Sequence, residues 1–373
     1  MVLRHKNFGV STTINTAASV PSPPVDRTSS GFIIGPIADS VLIIGAPIVA
    51  LIIAGPLFAL PSPNFHVSIR ATPADLRQVL IVMFINAHLF LVYFRSHANQ
   101  KIFHLYPVRF VAVPLVLFAM GVMSPTVLGI AGVIGIWWDL YHSSMQTFGF
   151  GRIYDSKQKN DAAAGRSLDY WMNLLVYLGP VLAGAHFVDH LNSCRDTLQP
   201  LTTEGSILDE LILQRTPDFL LKHQNYLAGA IIALGVPFVL FYVYSYYRLQ
   251  QNGYQVSWQK VWLMIITTAV SIYCWGFRSF IDAFWVMNFF HALQYFAIVS
   301  FAENRNLIQL FRVSRFSYGW ALAILWVVSF CLLYGWCSKV FENGTWSTSL
   351  LMTTSLMHYW YDGFIWSVKK KQV

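Results

Sequence analysis

The sequence predicts an all-α fold, a polytopic transmembrane helix bundle of about ten spans with both termini cytoplasmic. Three observations predict it. The 373 residues are 55% hydrophobic and only 11% charged, whereas soluble domains carry about 25% charged residues. Apolar segments of the length that crosses a bilayer, roughly 20 residues, recur along the whole chain. Lysine and arginine gather on alternate connections between those segments, as the positive-inside rule requires.

The ten segments lie near 36–60, 74–95, 107–123, 126–150, 169–190, 226–247, 258–275, 281–301, 318–337 and 348–366. Ser124 and Pro125 alone separate the third from the fourth, and Gly276 to Ser279 separate the seventh from the eighth, so both pairs read as tight hairpins. With a cytoplasmic N-terminus, eighteen of the 25 basic residues fall inside. Six fall outside (Arg70, Arg195, Arg215, Lys222, Arg278 and Lys339), and Arg77 opens the second segment. An odd number of spans would spoil this bias. Residues 1–30 are rich in Ser, Thr and Pro and lack the apolar core of a signal peptide, so they read as a flexible cytoplasmic tail. Residues 31–368 read as a single transmembrane domain with an outer loop at 191–225, and 369–373 as a basic cytoplasmic tail. A short amphipathic helix is expected in the loop, around Ser206 to His223.

The net charge of +8 sits in tails and connections, with no basic helix or aromatic-basic platform, so no nucleic-acid partner is expected. The four cysteines form no CxxC pair, and the three in or beside apolar segments read as packing residues.

Four histidines interrupt the apolar segments: His88, His142, His291 and His358, on the second, fourth, eighth and tenth. In the ten-span arrangement these helices all run from outside to inside. At about 1.5 Å per residue, every one of the four lies roughly 10–15 Å from the inner boundary. A single buried histidine is readily explained by a hydrogen bond to a neighbouring helix. Four imidazoles delivered to one depth point to a site, because ionisable groups within a membrane are costly and usually mark function.

Three of them have polar helical neighbours, while those of His88 are apolar. Asp139, His142 and Gln146 share a face, as do Asn288, His291, Gln294 and Tyr295, and Ser355, His358 and Asp362. Asp139 and Asp362 are the candidate catalytic carboxylates, either binding a metal or accepting a ring N–H to fix the tautomer of His142 and His358. Gln146, Gln294, Tyr295, Glu303, His97 and His104 are further candidates, the last two reading rather as surface residues. Arg95, Arg152 and Arg305 cap spans at the inner face. Topology explains them, and so does an anionic substrate head group. Tyr359, Trp360, Tyr361, Trp366, Trp137 and Trp138 suit either a lipid-sized cleft or interfacial anchoring. His186 and His190 (HFVDH) have metal-pair spacing but fall at the outer end of the fifth segment, away from the other four.

Imidazoles and carboxylates without thiolates suit iron, with zinc or copper as alternatives. A site within the bilayer implies a lipid-like substrate, an acyl chain, isoprenoid or carotenoid, and an oxidoreductase would need an electron-donor protein. Two other readings remain. A transporter of a metal ion or small solute should show polar residues through the full membrane depth, whereas the stretch before Trp137 (VLGIAGVIGI) is apolar. A haem b protein would use histidine pairs on facing helices.

In its histidine-bearing spans the chain resembles the histidine-rich integral membrane oxygenases, namely the fatty-acid desaturase and hydroxylase superfamily and the bacterial carotene-cleaving membrane family. The resemblance is architectural. HFVDH is the only HxxxH, and no HxxHH box is present. The four separately spaced histidines look more like the carotene-cleaving type. The resemblance implies a non-haem iron site within reach of the bilayer.

Overall fold

A computed structural model of the chain describes residues 31–54, 73–199, 209–341 and 344–366. Among them, every regular element is helical. The elements are α1 (Pro36–Ile44), α2 (Ala46–Ala54), α3 (Pro73–Ser96), α4 (Gln100–Phe103), α5 (Pro107–Met123), α6 (Pro125–Lys157) and α7 (Arg166–Ala183). They continue with α8 (Phe187–Leu198), α9 (Thr216–Gln251), α10 (Trp258–Phe277), α11 (Phe280–Ala302), α12 (Asn304–Leu310), α13 (Gly319–Val340) and α14 (Thr345–Ile365).

Both expected hairpins form where local chemistry stops one helix and starts the next. Ser124 accepts a hydrogen bond from the Val127 amide at 3.4 Å, and Pro125 opens α6, where its missing N–H costs nothing. Ser279 caps α11 through the Asp282 amide at 3.3 Å. Within the described residues, each of the ten apolar segments falls on a helix or a bent helix pair, with 55–60 of the first lying outside them. The first is bent by 55° between α1 and α2, and the fifth by 90° between α7 and α8. At the second bend Gly184 lies so close to Gly276 that a Cβ would overlap its backbone, while the Ala185 amide donates to the Gly276 carbonyl at 2.8 Å.

Among the described residues, five helices are long and apolar enough to cross a membrane, or up to seven if each bent pair is one span. The helices α6 and α14 are long enough but fall short in apolarity, α6 carrying Asp139 and His142 and α14 carrying His358, Asp362 and a run of Ser and Thr. The segment read as an outer loop holds more helix than expected. Its first part is α8, and its last part is a π-helical turn (Asp209–Arg215) running straight into α9. The amphipathic helix expected around Ser206 to His223 is therefore the head of α9, with 206–208 outside the described residues, as are the two tails, 1–30 and 369–373. Most of α9 is exposed, with Ile232, Leu234 and Leu240 facing outward, as suits a lipid-facing helix.

Helix α11 is the most buried of the five candidate crossings and packs on α2, α3 and α6. Helix α14 packs on α3, α5 and α6. The helices α3, α11, α6 and α14 thus close a cycle, each touching the next, around the centre of the molecule.

Candidate metal centre

Each helix of that cycle contributes one histidine to its axis. His88, His142, His291 and His358 are 1%, 6%, 0% and 0% exposed. Their rings follow the order of the helices. Centroids are 5.1 Å apart for His88 and His291, 4.8 Å for His291 and His142, 4.8 Å for His142 and His358, and 4.9 Å for His358 and His88. His291 and His358 face each other across the ring at 6.1 Å. The expected convergence of the four is what the structure has.

The hydrogen bonding of the ring leaves lone pairs bare. His88 Nδ1 lies against the Ile85 carbonyl. A carbonyl only accepts, so Nδ1 carries the proton and Nε2 keeps its lone pair. His88 Nε2, both nitrogens of His291 and His358 Nδ1 are buried without a hydrogen-bond partner. Leaving such a group unsatisfied costs about 1–3 kcal/mol, and these four nitrogens sit on three neighbouring rings, each neutral ring having one lone pair and one N–H to satisfy. His142 Nε2 and His358 Nε2 are 3.1 Å apart. Nitrogens sharing a metal at about 2.0–2.1 Å lie about 3 Å from each other when their bonds are near right angles. Donor atoms of His88, His291 and His358 lie within 4.8 Å of one another, as do those of His142, His358 and Asp362. The donor set therefore fits a cation.

The two carboxylates differ. Asp362 Oδ2 lies 3.7 Å from His142 Nε2 and 4.0 Å from His358 Nε2. Its Oδ1 accepts from Tyr295 Oη at 2.8 Å and from Trp366 Nε1 at 3.0 Å. Asp139 instead accepts from Asn288 Nδ2 at 3.1 Å and is hydrogen-bonded by Tyr359. Its link to the ring is indirect, through the Tyr359 ring 5.0 Å from that of His142.

Of the further candidates, only Tyr295 touches the cluster, its ring 4.6 Å from that of His358. Gln146 donates to the His291 carbonyl at 3.1 Å and to Gln294 at 2.9 Å, and Gln294 donates to the Ile43 carbonyl at 2.8 Å. These two amides tie backbones together. Both nitrogens of His97 are engaged, with Ser96 Oγ at 2.8 Å and the Phe110 carbonyl at 3.0 Å. Burial lowers its affinity for a proton below that of an ordinary histidine. His104 is exposed beyond α4. His190 is buried on α8, a helix that carries none of the four, and donates to the Arg278 carbonyl at 3.2 Å.

The head-group reading does not hold for two of the three arginines. Arg95 is 1% exposed and is held by Glu303 at 2.5 Å and by the Ile365 carbonyl at 3.0 Å. Arg152 is engaged with Asp155 at 2.8 Å, Asp169 at 2.7 Å and two loop carbonyls. Buried carboxylates have claimed both guanidiniums. Arg305 is exposed on α12. Glu303, once a candidate ligand, is the partner of Arg95 and also accepts from Asn99 Nδ2 at 2.9 Å.

Sequence reading passed over a second buried polar centre. Lys260 Nζ donates to Asp155 at 2.8 Å, to Asp169 at 2.7 Å and to Tyr246 Oη at 2.7 Å. With Arg152 it makes two cations and two carboxylates, joining α6, α7 and α10. Tyr242 and Tyr246 from α9 donate to Asp169 at 2.9 and 2.6 Å, and Tyr254 donates to Asp155 at 2.5 Å. Burial and the Asp155 carboxylate push the Tyr254 hydroxyl well above its usual range, so it stays a donor. Gly165, at φ +67°, lets the loop pass Tyr246, where a Cβ would overlap its hydroxyl. The available signal was a lone charge in an aromatic setting (IYDS, SLDYW, SWQKVW). Asp39 was also missed. Fully buried, it accepts from the amides of Ile33, Ile34 and Gly35 at 2.6, 2.9 and 3.2 Å and from Tyr154 at 2.9 Å.

Comparison of the chain with protein-family models, with curated proteins and with solved structures finds no match.

Proposed function

We propose that this chain is a membrane-embedded, metal-dependent oxidoreductase that holds a metal, iron by preference, in its four-histidine ring and acts on a lipid-like substrate. The observation that carries this reading is the group of unpartnered ring nitrogens on His88, His291 and His358, which lie close together and buried. Unpaired buried lone pairs are costly, and a cation is the partner that would satisfy several of them together. The absence of thiolate donors from either trio supports iron over metals that favour sulfur. Iron in such a setting supplies the activation of oxygen, and the protein supplies orientation and exclusion of water.

In this reading all ten helical segments cross the bilayer, with both termini cytoplasmic and the ring in the cytoplasmic half. The eighteen-to-six charge split supports that arrangement. The exposed apolar face of α9 is consistent with lipid on that side. The inward polar residues of α6 and α14 lower their apolarity without exposing charge to lipid, because partners inside the bundle receive them. An acyl chain, isoprenoid or carotenoid is the substrate class a site at that depth would meet, with an electron-donor protein at the cytoplasmic face.

The test is metal content and the optical spectrum of purified protein, across the wild type and the single variants His88→Ala, His142→Ala, His291→Ala and His358→Ala, with His186→Ala as control. The expected result is bound iron in the wild type and the control, and loss in the four. Metal retained by the four and lost by the control overturns the site. A wild type that takes up no iron, zinc or copper overturns the enzyme reading and favours transport or a purely structural role.

A further inference from the structure

Below the histidine ring, a second layer of side chains ties together three of the same four helices. Arg95 lies seven residues beyond His88 on α3, and Ile365 seven beyond His358 on α14, so each sits two turns further along the same face. Glu303 closes the end of α11, the helix of His291. Arg95 joins the three. It pairs with Glu303 at 2.5 Å, donates to the Ile365 carbonyl at 3.0 Å, and lies 3.7 Å above the Trp366 ring. Asn99 and Asn306 hold the other oxygen of Glu303, at 2.9 and 2.5 Å. The guanidinium thus satisfies one of the last carbonyls of α14, where partners within the helix run out. It also stacks on the indole that follows.

That indole reaches back up toward the ring. Trp366 Nε1 and Tyr295 Oη both donate to one oxygen of Asp362, Oδ1. With Oδ1 occupied twice, the carboxylate has lost its freedom to swing, and Oδ2 is left facing His142 Nε2 and His358 Nε2. A free aspartate one turn beyond a histidine has several rotamers open to it, and this one is pinned from two helices.

We propose that Trp366, clamped by Arg95 and Glu303, is a positioning residue that acts with Tyr295 to hold Asp362 Oδ2 against the metal ring. The end of α14 thereby controls the coordination of the site. The inference rests on the metal reading above. It assigns Arg95 and Glu303 a structural task in the site rather than contact with substrate or metal. Partners that orient metal ligands typically matter by 10–100-fold in affinity or activity.

The experiment uses full-length protein in lipid nanodiscs, with cobalt(II) as the probe because its visible spectrum reports coordination. Cobalt affinity and spectrum are measured for the wild type, Asp362→Asn, Trp366→Phe and the double variant. Trp366→Phe keeps an aromatic ring for Arg95 to stack on and removes the N–H together with the rest of the five-membered ring. The expected result is a roughly 10-fold or greater loss of affinity in Trp366→Phe. The spectrum should shift in the direction seen for Asp362→Asn, with no further change in the double variant. That non-additivity separates action through Asp362 from a general packing role, which would add. Thermal melting of Trp366→Phe accompanies the titration, and Tyr295→Phe, which removes the other donor to Oδ1, is the substitute if Trp366→Phe does not fold. A wild-type spectrum and affinity in Trp366→Phe overturn the positioning role, as does an additive double variant. If His358→Ala binds cobalt as the wild type does, the metal reading itself falls and takes this inference with it. Loss in His358→Ala beside an unchanged Trp366→Phe overturns the inference alone.

Discussion

His142 Nε2 and His358 Nε2 stand 3.1 Å apart although 216 residues separate them in the chain. Two imidazole nitrogens meet this closely either when one donates to the other or when both give lone pairs to a third atom. In the proposed metal reading, the third atom is the cation.

If those lone pairs await a cation, the metal-free protein carries their cost. His291→Leu removes two unsatisfied buried nitrogens and keeps apolar volume, so it should raise the thermal stability of metal-free protein, by about 1–3 kcal/mol for each group relieved. Added metal should raise the melting temperature of the wild type, because a ligand that binds only the folded state stabilises it. It should leave His291→Leu unmoved. Melting curves with and without metal check both expectations, and a destabilised metal-free variant would count against unsatisfied nitrogens.

The second centre should behave as a charge-balanced clasp. Lys260→Met leaves Asp155 and Asp169 to share Arg152 alone in a buried setting. Breaking a buried pair from one side costs about 3–5 kcal/mol. Lys260→Met combined with Asp155→Asn restores the balance and should recover part of that loss. Thermal or denaturant melting of the three proteins decides it, and equal stability of single and double variants would argue that charge balance is not what holds α6, α7 and α10 together there.

Gly165→Ala should destabilise the protein by more than about 1 kcal/mol, because the site combines a positive φ with the nearby Tyr246 hydroxyl. Tyr246→Phe removes that hydroxyl and should soften the penalty of Gly165→Ala. A melting comparison of the two single variants and the double measures the coupling.

Topology has its own test. A compartment-sensitive reporter fused after Val373 should report the cytoplasm, and a cysteine at Arg305 should be labelled only from that side. A cysteine at Lys339 should be labelled from the opposite side. Any reversal among these positions breaks the ten-span arrangement.

How far the sequence reaches is plain in the two aspartates. Asp139 stands three residues before His142 and Asp362 four after His358, so helical spacing places both beside a ring histidine. Packing separates them. Asp362 turns Oδ2 toward both His142 and His358, whereas Asp139 is taken up by Asn288 and Tyr359. The same limit governs the arginines. Arg95 at the end of a span is compatible with a topological charge, a head-group contact or a buried pair, and only its contact with Glu303, 208 residues away, decides which.

The sequence by itself determined where most of the apolar helices lie, where the two tight hairpins turn and that four histidines occur on four separate helices. The reason is local. An apolar environment obliges each segment to satisfy its own backbone hydrogen bonds, so composition and spacing along the chain suffice to place a helix and a residue's height on it. Only the tertiary structure decided the rotation of each helix about its axis and the partner each polar atom found. Those follow from contacts between segments far apart in sequence: the closed cycle of α3, α11, α6 and α14, the clamp of Arg95 on Trp366 and the joining of Lys260 to Asp155 and Asp169. Spacing sets which face a residue shares, and packing between helices sets what that face meets.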